Sequence, residues 1–419
     1  MKLFYVALAS ASLLPAAVVA DWAQFRGPTG GISDETALPL TWSADENLLW
    51  KSSLPGFGSS SPITVGKKVF LTCYSGYGLD SKSPGKQAGL RLHLLCYDLH
   101  SGKQLWQRNV KPILPDQDYK QWLPEHGYAS STPASDGQAV YIFFGKGGVH
   151  AFDLDGAPLW EKSAGTKTHG FGTASSPLLL RNRVIINACV ESDAVVAFDK
   201  KTGKVAWRTP GVLRAWSTPV LVKTPEGSEE IVLSTEGTVI GYDPEDGKKL
   251  WTCEGINDYV CPSIVAHDGV VYAIGGRKEI RSLAVRAGGR GDVTSTHRLW
   301  KSGIGSKVPS PVYHDGHLYW VEHTGIAFCV DAKTGAEIYK KRLPMGQQSK
   351  TYASVVLADG RLYVVSCYSG TFVLEAKPQF RQLAHNVLGD DSVFNASPAV
   401  VPGRLLLRSD RFLYCIGKK

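Results

Sequence analysis

The stretch AFDKKTGKVAW, Ala197–Trp207, decides the fold because the chain repeats it. Near copies are LCYDLHSGKQLW, AFDLDGAPLW, GYDPEDGKKLW and CVDAKTGAEIY, which end at Trp106, Trp160, Trp251 and Tyr339. Each copy has a small residue, an aromatic or aliphatic one, an aspartate, a glycine turn and then an aromatic residue. Aspartate and glycine are typical of tight turns, so each copy predicts a β-hairpin.

Two sequence markers recur eight times each and divide the chain into units. One is Ser-Pro or a close relative, at Ser61-Pro62, Thr132-Pro133, Ser176-Pro177, Thr218-Pro219, Cys261-Pro262, Ser310-Pro311, Ala353-Ser354 and Ser397-Pro398. The other is the aromatic position, at Trp50, Trp106, Trp160, Trp207, Trp251, Trp300, Tyr339 and, degenerate, Leu383. Most spacings are 39 to 49 residues. The runs between the markers, such as RVIINACV, are typical of β-strands.

This period predicts an all-β fold, an eight-bladed β-propeller of four-stranded antiparallel blades. We label the strands of a blade A to D from the ring axis outward. The last unit ends after strand C, whereas LLWKSSL, Leu48–Leu54, is a strand D with no unit before it. The N-terminal strand is therefore expected to complete blade eight and close the ring. The aromatic residue of each outer strand is expected to pack against the neighbouring blade.

The N-terminus has the pattern of a signal peptide. Lys2 precedes an apolar run, and small residues ending at Ala20 offer a cleavage site. A membrane anchor is the alternative, but the run is shorter than the roughly 20 residues that a span needs. The first cysteine is Cys73, so no cysteine follows the site to carry a lipid. We expect residues 1–20 to be a signal peptide, 21–39 an N-terminal segment, 40–419 the propeller, and the product to be periplasmic or secreted.

The composition bounds the possible partners. Hydrophobic residues make up 43 % of the chain, which excludes wholesale disorder. The net charge is +8, or +7 without Lys2, and no basic cluster of the kind that binds nucleic acid is present. We therefore expect no nucleic-acid partner and a monomeric protein.

The hairpin motif resembles the repeats of the pyrroloquinoline quinone (PQQ)-like β-propellers, over residues from about 40 to 419. In length and predicted export the chain is similar to BamB-type propellers of the outer-membrane barrel-assembly machinery. It also resembles secreted relatives common in planctomycete-like bacteria, which typically open with W-x-Q-F-R-G-P, here Trp22–Pro28, and carry GRGDVT before a tryptophan, here Gly289–Trp300. Such repeats are specific for fold and poor for function.

The eight cysteines fall into two classes. Three share the strand C position and three share a strand B position, where we expect free thiols that pack as small core residues: Cys96, Cys329, Cys415, Cys73, Cys189 and Cys367. Cys253 and Cys261 flank the link between blades four and five and are the candidate disulfide. No vicinal Cys-Cys pair is present, although PQQ-dependent alcohol dehydrogenases typically carry one beside the quinone.

The loops that join strand D to the next strand A share one end of the channel with the B-to-C loops, and both large insertions of blade one lie there. We call this end the mouth face. The predicted ligand- or partner-binding residues are His126, His169, Arg214, Trp216, Asp258, Lys307, Lys350 and Tyr352. Three cations against one acid favour an anionic guest. Solvated loop residues are the alternative, and both histidines could instead cap turns.

Three functions compete. The first is an exported, non-catalytic propeller that binds a protein partner through the mouth face, because no catalytic residues or metal ligands are recognisable. The second is a PQQ-dependent oxidoreductase. A Ca²⁺ ion beside PQQ would require paired carboxylates, however, and Asp258 is the only obvious acid at the mouth. The third is a polysaccharide-binding propeller. The tripeptide Arg290-Gly291-Asp292 spells an adhesion motif, for which chance is the better explanation.

Overall fold

The protein forms a closed ring of eight antiparallel blades, as predicted. The computed structural model describes residues 21–418, so the predicted signal peptide lies outside the described residues. None of the helices among the described residues is long and apolar enough to cross a membrane.

The strands follow the order A to D in every blade. In blades one to eight, strand A spans Ile63–Val65, Ala134–Ser135, Leu178–Leu180, Val220–Lys223, Val265–His267, Val312–His314, Val356–Ala358 and Ala399–Val401. Strand B spans Lys68–Ser75, Ala139–Phe143, Arg183–Ala188, Glu229–Thr235, Val270–Gly275, His317–Val321, Arg361–Val365 and Arg404–Arg408. Strand C spans Arg91–Asp98, Val149–Asp153, Ala194–Asp199, Thr238–Tyr242, Arg281–Arg286, Ile326–Asp331, Thr371–Glu375 and Phe412–Gly417. Strand D spans Gln104–Val110, Pro158–Lys162, Val205–Pro210, Lys249–Glu254, Arg298–Ser302, Glu337–Arg342, Gln382–Asn386 and Leu48–Ser53.

Short elements decorate the ring. Single helical turns are found at Gln87–Gly89, Leu123–Glu125, Gly145–Gly147, Cys189–Ser192 and Thr294–His297. Two extra two-residue strands, Ile32–Ser33 and Gly291–Asp292, lie parallel to blades seven and four.

The ring closes through the N-terminal strand, which confirms that prediction. Leu48–Ser53 is the outer strand of blade eight and pairs antiparallel with Phe412–Gly417, with Trp50 opposite Cys415. The two ends of the propeller sequence are therefore joined by backbone hydrogen bonds in one sheet.

Each hairpin is built by its aspartate and glycine. In blade three, Asp199 Oδ1 accepts hydrogen bonds from the backbone N–H and the hydroxyl of Thr202, at 2.9 and 2.8 Å. Gly203 has a φ of +67°. A Cβ atom at Gly203 would lie 2.7 Å from the ring of Trp160, the aromatic residue of the preceding blade. Glycine is thus required both by the turn and by the tryptophan that packs on it.

The recurring tryptophan connects neighbouring blades, as expected. In four blades its indole N–H donates to a carbonyl in the next hairpin, at 2.7 to 3.3 Å: Trp50 to Leu99, Trp160 to Lys200, Trp207 to Pro244 and Trp300 to Ala332. Trp106 departs from the pattern, because Arg108 supplies the bond to the next hairpin through Gly156, at 2.6 Å.

The Arg290–Asp292 tripeptide belongs to the packing between blades four and five. Its last two residues pair in parallel with Trp251 and Thr252. Glu230 is fully buried and accepts hydrogen bonds from Trp251 Nε1 at 2.7 Å and Arg290 Nη1 at 3.2 Å. This segment therefore replaces the usual contact between tryptophan and hairpin at this junction.

The serine or threonine of each unit forms a hydrogen-bonded belt around the channel. Along the ring, the backbone N–H of the residue in one blade donates to the side-chain hydroxyl of the corresponding residue in the next blade, at 2.9 to 3.0 Å. The chain of bonds runs from Ser61 through Thr132, Ser176, Thr218, Ser263, Ser310 and Ser354 to Ser397. In blade five the hydroxyl comes from Ser263, so the marker placed at Cys261-Pro262 is two residues out of register.

The predicted disulfide between Cys253 and Cys261 is wrong, and all eight cysteines are free. Cys253 lies buried in strand D of blade four, opposite Val239. Cys261 follows Val260, which forms a β-bridge with Ala215. This bridge places the loop of Cys261 beside the loop that follows blade three. The other six are all buried, in agreement with a packing role, but Cys189 and Cys367 lie just beyond the strands B in which they were predicted.

The N-terminal segment crosses the end of the channel opposite the mouth face. Trp22 exchanges hydrogen bonds with Thr64 in strand A of blade one, and the carbonyl of Ala23 accepts one from Ser135 in blade two. Arg26 is buried and donates to the carbonyl of Pro311 in blade six. Together with the pairing of Ile32–Ser33 to blade seven, these contacts make residues 21–33 a plug, which the repeat pattern did not predict.

Candidate functional site

A long loop between blades one and two covers the channel mouth. We call residues 111–127 the mouth loop. Trp122 stacks on Phe171 of blade three, with ring centroids 5.9 Å apart, and the guanidinium of Arg277 in blade five lies 4.9 Å from the Trp122 ring. Glu125 pairs with Lys350 of blade seven, at 3.0 Å between Nζ and Oε1. The mouth loop therefore spans the mouth from one side of the ring to the other.

The other insertion of blade one supports the mouth loop. The side chain of Gln87 bonds to the backbone of Asp116, through its oxygen at 3.0 Å and its nitrogen at 2.9 Å. The hydroxyl of Tyr77 accepts the N–H of Tyr119 at 3.1 Å. Because both insertions belong to blade one, the cover is anchored on a single blade and reaches across to the others.

Four predicted residues lie together on the side of blades three to five. His169 and Trp216 are 5.1 Å apart between centroids, and Tyr259 packs edge-on against Trp216 at 5.7 Å. The Trp216 indole N–H donates to Gly172 O at 2.8 Å, and the Arg214 guanidinium lies 5.2 Å from the Tyr259 ring. Asp258 directly precedes Tyr259. This aromatic cluster holds the D-to-A loops of three blades together.

His126 has both ring nitrogens engaged. Nε2 lies 2.6 Å from the carbonyl of Phe171, and Nδ1 bonds to the Ser130 hydroxyl. Burial lowers the pKa of His126, so the imidazole is neutral at physiological pH. His126 thus fastens the mouth loop to the loop before blade three.

Asp258 also has a structural role. Its carboxylate accepts hydrogen bonds from the backbone amides of Tyr259, Arg277, Lys278 and Glu279. Burial acts to raise the pKa of Asp258, but these four bonds outweigh it and the pKa is lowered. A carboxylate held in this way has little capacity left for a metal or a ligand.

The three cations do not form one anion site. Arg214 pairs with Glu236 at 3.0 Å, and Lys350 pairs with Glu125. Lys307 lies 3.2 Å from Nε2 of His323. The charge count that favoured an anionic guest omitted Glu236 and Glu125, which pair with two of these three cations.

Sequence reasoning missed Glu191, which follows strand B of blade three. Its side chain is 2 % exposed, Thr173 donates to Oε1, and Oε2 has no partner in the protein. Burial raises the pKa of Glu191 to about 7, against the bond from Thr173, which lowers it. The signal that could have found it is an acid directly after the apolar run VIINACV.

Two cavities lie beside the mouth loop. The smaller one, of about 30 Å³, reaches Glu191 and is also lined by Asp116 and His169. The larger one, of about 160 Å³, lies between the mouth loop and blades seven, eight and one, and is lined by Glu125, Lys350 and Tyr352 among others.

The mouth residues do not fit PQQ with its Ca²⁺. Calcium takes six to eight oxygen ligands. Within residues 21–418, no three or more His, Cys, Asp and Glu side chains are grouped so as to hold a metal. The carboxylate of Asp258, the one acid predicted there, is occupied by backbone amides.

Exposed apolar side chains concentrate on the mouth face. Among the described residues, seven of the twelve large exposed ones lie there: Leu79, Ile113, Leu114, Trp122, Leu213, Tyr368 and Val387. The other five are spread over the outer strands of five different blades: Leu105, Leu159, Val205, Leu299 and Ile338. Seven exposed apolar side chains on one loop-rich face favour a binding surface at that end of the ring.

Comparison with known proteins gives the family. The family model described as "Outer membrane protein assembly factor BamB" matches residues 91–341 and 290–383. The chain belongs to this family of PQQ-like propellers. Outer membrane protein assembly factor BamB of Francisella salina is 20 % identical over 228 residues, which are 52 % of this chain and 42 % of that protein. The match thus spans less than half the length of that curated relative.

Solved structures share the fold. BamB from Moraxella catarrhalis has a TM-score of 0.62 at 13 % identity, covering 89 % of this chain and 97 % of that one. The quinohemoprotein alcohol dehydrogenase from Comamonas testosteroni has a TM-score of 0.64 at 11 % identity, covering 96 % of this chain and 81 % of that one. At these identities the likeness defines the ring and leaves the function open.

Proposed function

We propose that the protein is an exported, non-catalytic propeller that docks a partner protein on its mouth face, as a monomer. The concentration of exposed apolar side chains on that face, three of them on the mouth loop, carries the proposal. Single exposed apolar residues are ordinary, but a group on loops at one end of a ring supports an interaction surface. The description of the matched family as an assembly factor is consistent with a protein partner.

Export is part of the proposal. The pattern of Lys2, an apolar run and Ala20 supports secretion with cleavage after Ala20. N-terminal sequencing of the protein recovered from the periplasm or medium is expected to start at Asp21. Retention of the full-length chain in the cytoplasm would contradict export without affecting the docking surface.

We favour a PQQ-dependent oxidoreductase less, because the carboxylate of Asp258 is engaged by backbone amides and, among residues 21–418, no three or more His, Cys, Asp and Glu side chains are grouped so as to hold a metal. Purified protein mixed with both is expected to show no saturable quinone absorbance after gel filtration. A stoichiometric chromophore that oxidises alcohols would overturn the non-catalytic proposal.

The docking surface is tested by photo-crosslinking in envelope extracts. A photoreactive residue at position 114 is expected to capture a partner, whereas one at position 159, on an outer strand, captures none. Leu114 and Leu159 are both exposed, at 41 % and 52 %, so the pair isolates location from hydrophobicity. The captured protein is then purified and its affinity measured directly.

Substitution provides the second arm of this test. The double variant Ile113→Ser with Leu114→Ser is expected to weaken that affinity at least tenfold and to keep the melting temperature. The matched control, Leu105→Ser with Leu159→Ser, should bind as the parent does. Equal loss in both variants, or crosslinks only from position 159, would place the partner elsewhere on the ring.

A further inference from the structure

The larger cavity beside the mouth loop has the size of a small molecule. It opens between Pro124–Gly127 of the mouth loop and the loops of blades seven, eight and one, with a volume of about 160 Å³. One six-membered sugar ring occupies a volume of this order. The exposed apolar residues of the mouth loop, Ile113, Leu114 and Trp122, do not line this cavity.

Aromatic side chains form much of its wall. Five aromatic residues line it, Tyr119 from the mouth loop itself and the others from blades one and seven: Phe57, Tyr74, Tyr352 and Tyr368. Tyr368 is 61 % exposed, so burial in the core does not explain its position at this cavity. The flat faces of aromatic rings pack against the C–H face of a pyranose, which is the apolar side of a sugar.

The polar wall is pre-ordered by hydrogen bonds. Both carboxylate oxygens of Glu125 accept from Lys350, at 3.0 and 3.1 Å, and Oε2 also accepts the Tyr352 hydroxyl at 3.1 Å. The Asn395 amide donates to the carbonyl of Glu125 at 2.6 Å, and the Cys367 thiol lies 3.0 Å from Asn395 Oδ1. Fixed donors and acceptors of this kind favour a ligand with several hydroxyl groups.

The cavity lining holds two acids and one cation, Glu125, Asp410 and Lys350. Lys350 pairs with Glu125. Asp410 accepts the Val393 N–H at 2.9 Å, and its nearest cation is Arg411, 3.8 Å away and outside the lining. The lining therefore offers no unpaired cation to an anionic ligand, whereas carboxylate oxygens are good acceptors for the hydroxyls of a neutral sugar.

We infer that this cavity binds one pyranose ring, either as a free sugar or as the terminal unit of a polysaccharide. The aromatic walls take the C–H face, and Glu125, Lys350 and Asp410 bond the hydroxyls. This inference is distinct from the protein-docking proposal, because Tyr368 is the one cavity residue that also belongs to the exposed apolar side chains of the mouth face.

Ligand-observed saturation-transfer NMR with methyl glucoside, N-acetylglucosamine and their trisaccharides tests the inference on the full mature chain. At least one sugar is expected to bind saturably. Two variants are each expected to weaken binding at least tenfold without lowering the melting temperature by more than a few degrees. Tyr368→Ala removes an exposed wall of the cavity, and Asp410→Asn keeps an acceptor for the Val393 N–H. Equal affinity for monosaccharide and trisaccharide identifies a free sugar, and tighter binding of the trisaccharide identifies a chain end.

Leu213→Ala is the matched control. Leu213 is exposed on the mouth face and does not line the cavity, so this variant should keep the sugar affinity while it weakens binding of the partner protein. Two results would overturn the inference. One is the absence of saturable binding by every sugar of the panel at about 50 mM, the weakest useful affinity. The other is binding that Tyr368→Ala and Asp410→Asn leave unchanged. Neither result bears on protein docking.

Discussion

At the scale of the residue, the mouth face separates side chains that hold the loops from side chains that are free to bind. His126, Trp216 and Asp258 were predicted as binding residues, but the polar atoms of each form hydrogen bonds to neighbouring loops. The sequence places such residues at the mouth but does not reveal their hydrogen-bond partners, because these come from segments distant in the chain. Glu191 was not predicted, and it is a buried acid whose Oε2 atom has no hydrogen-bond partner among the described residues.

Glu191 is expected to make stability depend on pH. Its pKa in the folded protein is about 7, raised by burial from an ordinary 4.5, so the folded state binds the proton more tightly than the unfolded state. Stability is therefore full below pH 4.5 and decreases as the pH rises to 7. The difference between the two pKa values corresponds to about 3 kcal/mol. Urea unfolding of the parent and of Glu191→Gln between pH 4.5 and 8 measures it, and the variant should lose most of this slope.

A second variant checks the cause. Thr173→Val removes the hydroxyl that donates to Glu191 and stabilises its charged form, so the decline should move to higher pH. Asp116, which faces the same cavity and also has a pKa raised by burial, adds to the slope. Identical slopes in the parent and in Glu191→Gln would mean that the acid is hydrated in the folded protein.

At the scale of the element, the hairpin and the outer strand explain each other. The glycine of one blade leaves room for the tryptophan of the preceding blade, as Gly203 does for Trp160. This is why the two residues recur together in the sequence and why the count of blades was predictable from it. The positions where the pattern fails, at Arg108 and at the Arg290–Asp292 segment, are places where a different local contact joins the blades.

Trp207→Ala is expected to destabilise the fold by about 3–5 kcal/mol, the usual cost of removing a large ring from a packed site. Trp207 is 7 % exposed and lies over Gly247, and its indole N–H donates a hydrogen bond to the carbonyl of Pro244. Trp207→Phe keeps much of the packing and loses the hydrogen bond, so its cost should be smaller by a few kcal/mol. Urea unfolding compares the two, and melting of Trp207→Ala at the parental temperature would refute the connection between blades.

At the scale of the whole molecule, the repeated and non-repeated parts differ in how far the sequence predicts them. Ring size and closure follow from units that can be aligned with each other. Residues 21–33 and the mouth loop have no internal copies, so nothing in the chain indicates that one plugs the channel and the other covers it. Both lie at the ends of the channel, where the ring itself imposes no repeating contact.

Two truncations separate closure from plugging. A chain that starts at residue 34 loses the plug, with the contacts of Trp22 and Arg26, but keeps Leu48–Ser53 in blade eight. It should unfold cooperatively at a lower temperature. A chain that starts at residue 55 also loses the outer strand of blade eight, which exposes the edge of Phe412–Gly417 and opens the ring. Calorimetry should then show a broad transition or aggregation. If both truncated chains melt as sharply as the parent, the N-terminal strand does not close the propeller.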